Sequence, residues 1–145
     1  MSNPLYGQNK YDARVGFKIN PGVPQAAIGT GAKTITIAMI LKQILEEDPA
    51  GNATWTLPTA ALAVAGVEGA EVGDCIDFYV VNSGTAGEDE DITIAAGTSG
   101  TLVGSGHCPT SWTTHDADRG GSAHFRIRFT NVTSASEAYS VYRLA

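Results

Sequence analysis

Apolar and polar residues alternate along much of the chain beyond residue 32, and this spacing predicts a series of short β-strands. The clearest alternation covers residues 122–130. Its two faces are apolar (Phe125, Ile127 and Phe129) and polar (His124, Arg126 and Arg128). Further strands are predicted at residues 34–41, 53–57, 74–82, 91–95, 101–103 and 138–144. About seven or eight short strands bounded by turn residues indicate an all-β protein, an antiparallel β-sandwich of jelly-roll-like type.

Residues 34–66 are predicted to contain a strand, a turn and a helix. The predicted strand at residues 34–41 has one apolar face, made of Ile35, Ile37, Met39 and Leu41. Residues 46–52 are predicted to form a turn. Residues 58–66 carry the one helical pattern, because Pro58 stands near a first turn, Ala and Leu fill the middle, and Gly66 stands at the end. We therefore expect one short helix.

The first 32 residues are interpreted as an extended N-terminal arm. They contain three prolines and five glycines, and their apolar residues show no steady period. Only residues 14–19 alternate, and these could form a short strand. Such a segment buries too little apolar surface to offset the cost of ordering, so we expect it to order against a partner. The predicted organisation is an arm at residues 1–32 followed by a β-sandwich domain at residues 33–145.

Composition and charge narrow the classes of function. Apolar residues make up 43% of the 145-residue chain, but no window approaches the ~18 consecutive apolar residues of a membrane span. The N-terminus lacks the apolar stretch of a secretory signal, so synthesis in the cytoplasm is expected. Residues 1–45 carry a net charge of +4 and residues 46–145 a net charge of −10, which gives −6 for the chain. The excess of acidic residues at positions 46–145 would repel the phosphates of nucleic acid, so nucleic acid is not expected as a partner of this part of the chain. The basic first third could dock on an acidic protein surface, or its charges could be too scattered to form a patch.

Two cysteines and three histidines are the candidate metal ligands and nucleophiles of the chain. Cys75 and Cys108 could pair or stay free, and we expect free, partly buried thiols. His107, His115 and His124 follow no zinc-ligand spacing with Cys108, which favours scattered surface histidines and no bound metal or cofactor. A trimer could nevertheless bring three copies of one histidine together on its axis.

Other chemical motifs are weak. The acidic run at residues 88–91 lacks the spacing of a calcium-binding loop and is typical of a solvated hairpin tip. The chain has no nucleophile elbow, and its Gly-rich segments are not followed by the Lys of a phosphate-binding loop. We therefore expect a protein that is not an enzyme.

Four aromatic residues could form a sugar-stacking platform: Trp55, Trp112, Tyr139 and Tyr142. Trp112 is the best candidate for glycan stacking because it lies in a polar segment. The alternative is that Trp55 belongs to the core and Trp112 closes one end of the sandwich.

Residues 55–144 carry a combination of motifs that resembles a known family. Thr-Leu-Pro-Thr-Ala-Ala leads into the predicted helix, Val-Gly-Asp precedes a Phe-containing strand that ends in Asn, and an Ala-Ala-Gly-Thr loop follows. Phe-Arg-Ile-Arg-Phe-Thr-Asn-Val and a last Ser-Glu-Ala-Tyr…Tyr-Arg-Leu strand complete the combination. It resembles the small β-sandwich structural proteins of tailed bacteriophages, namely capsid decoration (cement) proteins and head-fibre domains.

The resemblance implies a structural protein of the virion, synthesised in the host cytoplasm and bound as a homotrimer to the major capsid protein on the outer capsid surface. A decoration protein that stabilises the shell is the first expectation, and a receptor-binding or glycan-binding module of a head or tail fibre is the alternative. The arm would then supply the docking contacts. The expected docking residues are Tyr6, Lys10, Tyr11, Arg14, Val15, Phe17, Lys18 and Ile19.

Overall fold

The computed structural model describes residues 25–84, 90–109 and 121–145. The described residues form nine strands and two short helices. The strands are β1 (Gly31–Thr34), β2 (Ile44–Glu47), β3 (Ala53–Thr56), β4 (Cys75–Asn82), β5 (Ile92–Ala95), β6 (Gly100–Val103), β7 (His107–Cys108), β8 (Ser122–Asn131) and β9 (Ala138–Arg143). The helices are α1 (Ile37–Ile40) and α2 (Ala60–Ala65). The protein is therefore mostly β, as the alternating pattern predicted.

The strands form two mixed sheets. One sheet has four strands in the order β1-β3-β5-β7, and the other has five in the order β2-β4-β8-β9-β6. In the smaller sheet β1, β3 and β5 run parallel, and β7 is antiparallel to β5. In the larger sheet the central strands β4, β8 and β9 are antiparallel, whereas β2 and β6 pair in parallel at the two edges.

The expected purely antiparallel arrangement is wrong, because four of the seven strand pairs in the described residues are parallel. Alternation along a strand reports which side chains face the core, but it carries no information on the direction of the neighbouring strand. Parallel neighbours need a crossover connection, and here β4 and α2 lie in the chain between the paired strands β3 and β5.

One hydrophobic core contains side chains from both sheets. Trp55 of the four-stranded sheet and Phe78 and Phe125 of the five-stranded sheet are fully buried in it. The rings of Phe78 and Phe125 stack with their centroids 5.5 Å apart across the β4–β8 pair. The expectation that Trp55 belongs to the core is confirmed.

The strand predicted at residues 34–41 is wrong beyond its first residue. β1 ends at Thr34, and Thr36 then caps the single helical turn α1. The Thr36 hydroxyl accepts from the Met39 amide at 3.3 Å, and the Met39 sulfur accepts from the Thr36 amide at 3.4 Å. This reciprocal cap satisfies amide groups that a new helix leaves free, so it stabilises the turn over an extended chain. As a result Ile40 is buried and Leu41 is exposed.

The predicted helix within residues 58–66 is confirmed as α2. Thr59 caps its first turn, where the side chain accepts from the Leu62 amide at 3.3 Å, and Gly66 is its C-cap. A side chain at residue 66 would overlap the Ile37 side chain of α1. The small residue at the end of α2 therefore allows the two helices to pack closely.

Most predicted strands have the expected position. The strands predicted within residues 53–57, 74–82, 91–95, 101–103, 122–130 and 138–144 correspond to β3, β4, β5, β6, β8 and β9. In β8, Phe125, Ile127 and Phe129 are buried, and Arg126 and Arg128 are exposed, as predicted.

Three short strands were not predicted. β1 shares only Thr34 with the strand predicted at residues 34–41, and its first two residues lie in the predicted arm. β2 includes Glu46 and Glu47, so the predicted turn at residues 46–52 begins too early. β7 has only two residues and is too short to show a period.

The described part of the predicted arm contacts the strand domain. Gln25 forms a parallel bridge with Leu45, and its amide donates to the Ile44 carbonyl at 2.8 Å. The Gly29 carbonyl accepts from Trp55 Nε1 at 3.4 Å, and the Gly29 amide donates to the Glu47 carboxylate at 2.6 Å. Residues 25–32 thus lie against β2 and β3, while the boundary at residue 32 stays a prediction.

None of the helices formed by the described residues has the length and apolar character needed to cross a membrane.

Candidate functional site on the outer face of the five-stranded sheet

The outer face of the five-stranded sheet gathers exposed apolar, aromatic and charged side chains. Side chains of successive strand residues point to opposite faces, so the neighbours of each buried residue point outward. In β2, β4 and β9 the buried residues Leu45, Phe78 and Val141 mark the inner face. The outward positions of all five strands therefore form one continuous surface, which we call the outer face.

Strand register arranges the outer face in two neighbouring rows. The first row runs Ile44, Tyr79, His124 and Leu144. Leu144 belongs to this row because its amide donates to the His124 carbonyl at 2.8 Å. The second row runs Asp77, Arg126, Tyr142 and Val103. Together the rows cross from β2 at one edge of the sheet to β6 at the other.

Both rows contain large apolar side chains that are exposed. The exposed fractions are 38% for Ile44, 45% for Tyr79, 44% for Val103 and 47% for Leu144. Single exposed apolar residues are normal on a protein surface, but several on one face mark an interaction surface. We therefore take the outer face as the candidate functional site.

A bidentate ion pair between Arg126 and Asp77 lies at the centre of the outer face. Arg126 Nε donates to Asp77 Oδ1 at 2.6 Å, and Arg126 Nη2 donates to Asp77 Oδ2 at 2.7 Å. The two residues are direct cross-strand partners of β4 and β8, so the register brings them together. The hydrogen bond from Arg126 holds the pKa of Asp77 below its usual value, although partial burial opposes this effect. Both carboxylate oxygens are engaged by Arg126, which suits a structural ion pair better than a general base.

His124 lies beside this ion pair. Its ring stacks on the Tyr79 ring, with the centroids 4.3 Å apart and the planes 14° apart. His124 Nε2 is 3.3 Å from Asp77 Oδ2, but the pair lacks hydrogen-bond geometry, and this buried nitrogen has no hydrogen-bond partner among the described residues. The distance still permits electrostatic attraction between a protonated His124 and Asp77. Tyr79 thus shields one side of the histidine while its own ring stays half exposed.

The other sequence-predicted ligands lie elsewhere. Both cysteines are free, as expected, with Cys75 half-buried on the outer face and Cys108 buried. Burial raises the pKa of the Cys108 thiol to about 11. His107 is exposed, and its Nε2 lies 2.8 Å from Asp91 Oδ2 across the β5–β7 pair. The described residues contain no group of three or more His, Cys, Asp or Glu side chains that could hold a metal ion.

The acidic run is only partly consistent with a solvated hairpin tip. Glu88 and Asp89 lie outside the described residues. Glu90 is buried, and its carbonyl accepts from the Asn82 side-chain amide at 2.6 Å. The expectation of a solvated hairpin tip is therefore wrong for Glu90.

The aromatic residues do not form one platform. Trp55 and Tyr139 are buried, which removes them from any sugar-stacking surface, and Tyr142 is half-buried on the outer face. Trp112 and His115 lie outside the described residues. So do all the expected docking residues, namely Tyr6, Lys10, Tyr11, Arg14, Val15, Phe17, Lys18 and Ile19.

Sequence reasoning missed the outer face as a site. It assigned His124, Arg126 and Arg128 to one face of a strand, but it did not place Asp77 or Tyr79 opposite them. The available signal was the alternation of Asp77 and Tyr79 with the apolar residues Ile76, Phe78 and Val80 in β4. Their pairing with β8 depends on the strand register, which alternation alone does not specify.

The chain was compared with protein-family models, with curated proteins and with solved structures. None of the three comparisons found a match.

Proposed function

We propose that this chain is a structural protein of a tailed-phage virion, a capsid decoration protein that binds the outer surface of the head and stabilises the shell. The observation that carries this proposal is the outer face, which has the properties of a binding surface. Exposed apolar side chains surround an ion pair whose groups already engage each other. The motifs of residues 55–144, which resemble decoration and head-fibre proteins, indicate the virion as the place where such a surface acts.

The proposed arrangement assigns different tasks to the arm and to the strand domain. The strand domain, in a sandwich arrangement of jelly-roll type, forms a homotrimer that projects from the shell. The arm contacts the major capsid protein through its aromatic and aliphatic residues. Lys10, Arg14 and Lys18 add an attraction to acidic surfaces that reaches only about 8 Å at physiological salt. These cations therefore guide docking, and the apolar residues of the arm hold the protein on the shell.

Binding to particles tests the proposal directly. Purified full-length protein is added to heads of the phage that encodes it, prepared without this protein, and the particles are imaged by electron cryomicroscopy. Many copies spread regularly over the shell are expected. Heads that bind no protein under these conditions would overturn the proposed function.

The same images separate decoration from the fibre alternative. A fibre module with a receptor-binding or glycan-binding role occupies only a handful of places, such as the tail or particular vertices. Density confined to those places would replace the decoration function by the fibre function. Soluble glycans added in excess provide a control, because they should not displace a decoration protein from the shell.

A further inference from the structure

We propose that the partner of the outer face is a second copy of this chain, which packs against this face in the proposed homotrimer. This inference rests on the proposed function, to which it adds the surface used for self-association. The first argument is the distribution of apolar side chains. Four of the seven exposed large apolar residues in the described part of the chain lie on this face: Ile44, Tyr79, Val103 and Leu144.

The second argument is the charge of the outer face. The described residues on this face include two acids, Glu46 and Asp77, and two arginines, Arg126 and Arg128. The face is therefore neutral, although the whole chain carries a net charge of −6. Acidic surfaces of two copies repel each other when they approach, whereas a neutral face can pack against a second copy without this repulsion. The charge pattern thus favours a second copy as the occupant of this face.

The third argument is that the central charges are already paired. The Asp77–Arg126 pair has both hydrogen bonds within one chain. A partner that covers it does not leave a lone buried charge, which would be the costly outcome. The half-exposed Tyr79 ring beside it offers the large, rigid apolar contact that is common at the centres of protein interfaces.

Charge introduced on the outer face tests the inference. The variants are Ile44→Glu and Val103→Glu, which place like charges at opposite edges of the face. The control is Leu62→Glu, because Leu62 is 61% exposed on α2, outside the sheet. Circular dichroism establishes that each variant is folded, and sedimentation velocity measures association over a concentration range up to about 100 µM.

We expect the wild-type chain to associate and both face variants to raise the dissociation constant about tenfold or more. The Leu62→Glu control should associate like the wild type. A wild-type chain that stays monomeric over the whole range overturns the inference. Equal effects of Leu62→Glu and Val103→Glu also overturn it, because association would then depend on total charge and not on this face.

The native Cys75 thiol provides a second measurement on the same face. Cys75 is half-buried on β4, whereas Cys108 is buried and has a raised pKa, so a thiol reagent labels Cys75 first. Labelling of Cys75 should slow as the wild-type concentration rises, and it should be independent of concentration in Val103→Glu. Slow labelling at every concentration, accelerated by deletion of residues 1–24, would show that the chain's own first residues cover the face, and would overturn the inference.

These experiments separate the two proposals. Association is measured on the purified protein without particles, and docking is measured on particles. A monomer that still decorates heads refutes the second copy on the outer face and leaves the proposed function intact. A protein that associates through this face but binds no heads refutes the proposed function alone.

Discussion

At the residue scale, Phe129 shows how the inner face of β8 stabilises the fold. Its side chain has no exposed surface and belongs to the shared core. Phe129→Ala removes the buried ring and leaves a cavity, so we expect the free energy of unfolding to fall by roughly 3–5 kcal/mol. Denaturant unfolding followed by circular dichroism measures the change.

Arg128→Ala is the matched control for this substitution, because the adjacent Arg128 side chain points outward and is exposed. Its cost should be under about 1 kcal/mol. The unfolding experiment is carried out at low protein concentration, so that any contact of Arg128 with a second copy does not contribute. A larger cost for Arg128→Ala than for Phe129→Ala would contradict the register of β8 described above.

Asp77 links stability to pH. Its pKa in the folded protein lies below the ordinary aspartate value of 3.8, mainly because Arg126 donates hydrogen bonds to the ionised carboxylate. The folded state therefore binds fewer protons than the unfolded state in this range, and the ion pair stabilises the fold above pH 3.8. This contribution should disappear as the pH falls from about 4 through the lowered pKa of Asp77. Because Asp77 is partly exposed, solvent screening keeps the effect small.

Asp77→Asn isolates this pH effect. The free energy of unfolding is measured for both proteins at pH values from about 6 to 2.5. Wild type should be the more stable protein at the upper end, and the difference should shrink towards the lower end. A difference that stays constant or grows on acidification would contradict the assigned role of Arg126.

At the element scale, Tyr139 connects β9 to two loops. Its hydroxyl donates to the Pro58 carbonyl at 3.0 Å and accepts from the Gly97 amide at 2.9 Å. Pro58 precedes α2 and Gly97 follows β5, so the Tyr139 side chain links two segments that are distant from it in sequence. Tyr139→Phe keeps the ring but leaves a buried amide and a buried carbonyl without this partner. We expect a loss of about 1–3 kcal/mol in the free energy of unfolding.

Tyr142→Phe serves as the control, because Tyr142 lies on the outer face of the same strand and is only half-buried. Loss of the Tyr142 hydroxyl should change the free energy of unfolding by less than about 0.5 kcal/mol. Thermal unfolding of both variants gives the comparison. Equal losses of stability in the two variants would contradict the prediction, because the two hydrogen bonds of the buried Tyr139 hydroxyl would then add nothing to the free energy of unfolding.

Helix and strand patterns were unequally informative at this scale. The helical segment at residues 58–66 was predictable because Pro58 and Gly66 mark its two ends. The segment 34–41 was not, since its alternation is compatible with a strand and the competing signal is a local cap between Thr36 and Met39. β1, β2 and β7 were missed because strands of four or two residues are stabilised by their neighbours, β3, β4 and β5, more than by their own pattern.

At the scale of the whole molecule, the arm and the strand domain should be separable. We predict that deletion of residues 1–20 leaves a folded domain, because the core is built from residues 35–141. The truncated chain should keep the wild-type circular dichroism spectrum and lose attachment to heads, since the proposed docking residues are removed. Co-sedimentation with heads measures attachment, and unchanged occupancy by the truncated chain would show that the strand domain makes the capsid contact.

From the sequence alone, the mostly β class, six of the strands, the helix α2 and the inner face of β8 could be predicted. These features depend on local pattern, since alternation and end signals are set by neighbours within a few residues. Charge asymmetry and the free cysteines were also accessible at this level.

Tertiary structure decided the strand directions, the register and the candidate site. The pairing of Asp77 with Arg126 joins residues 49 positions apart, and that of Tyr79 with His124 joins residues on the same two strands. The rows of the outer face extend further, to Ile44 at one edge and Val103 at the other. A period of two residues specifies which side of its own strand a residue occupies, but not which residue lies beside it on the next strand. The outer face exists only once five separate segments are aligned.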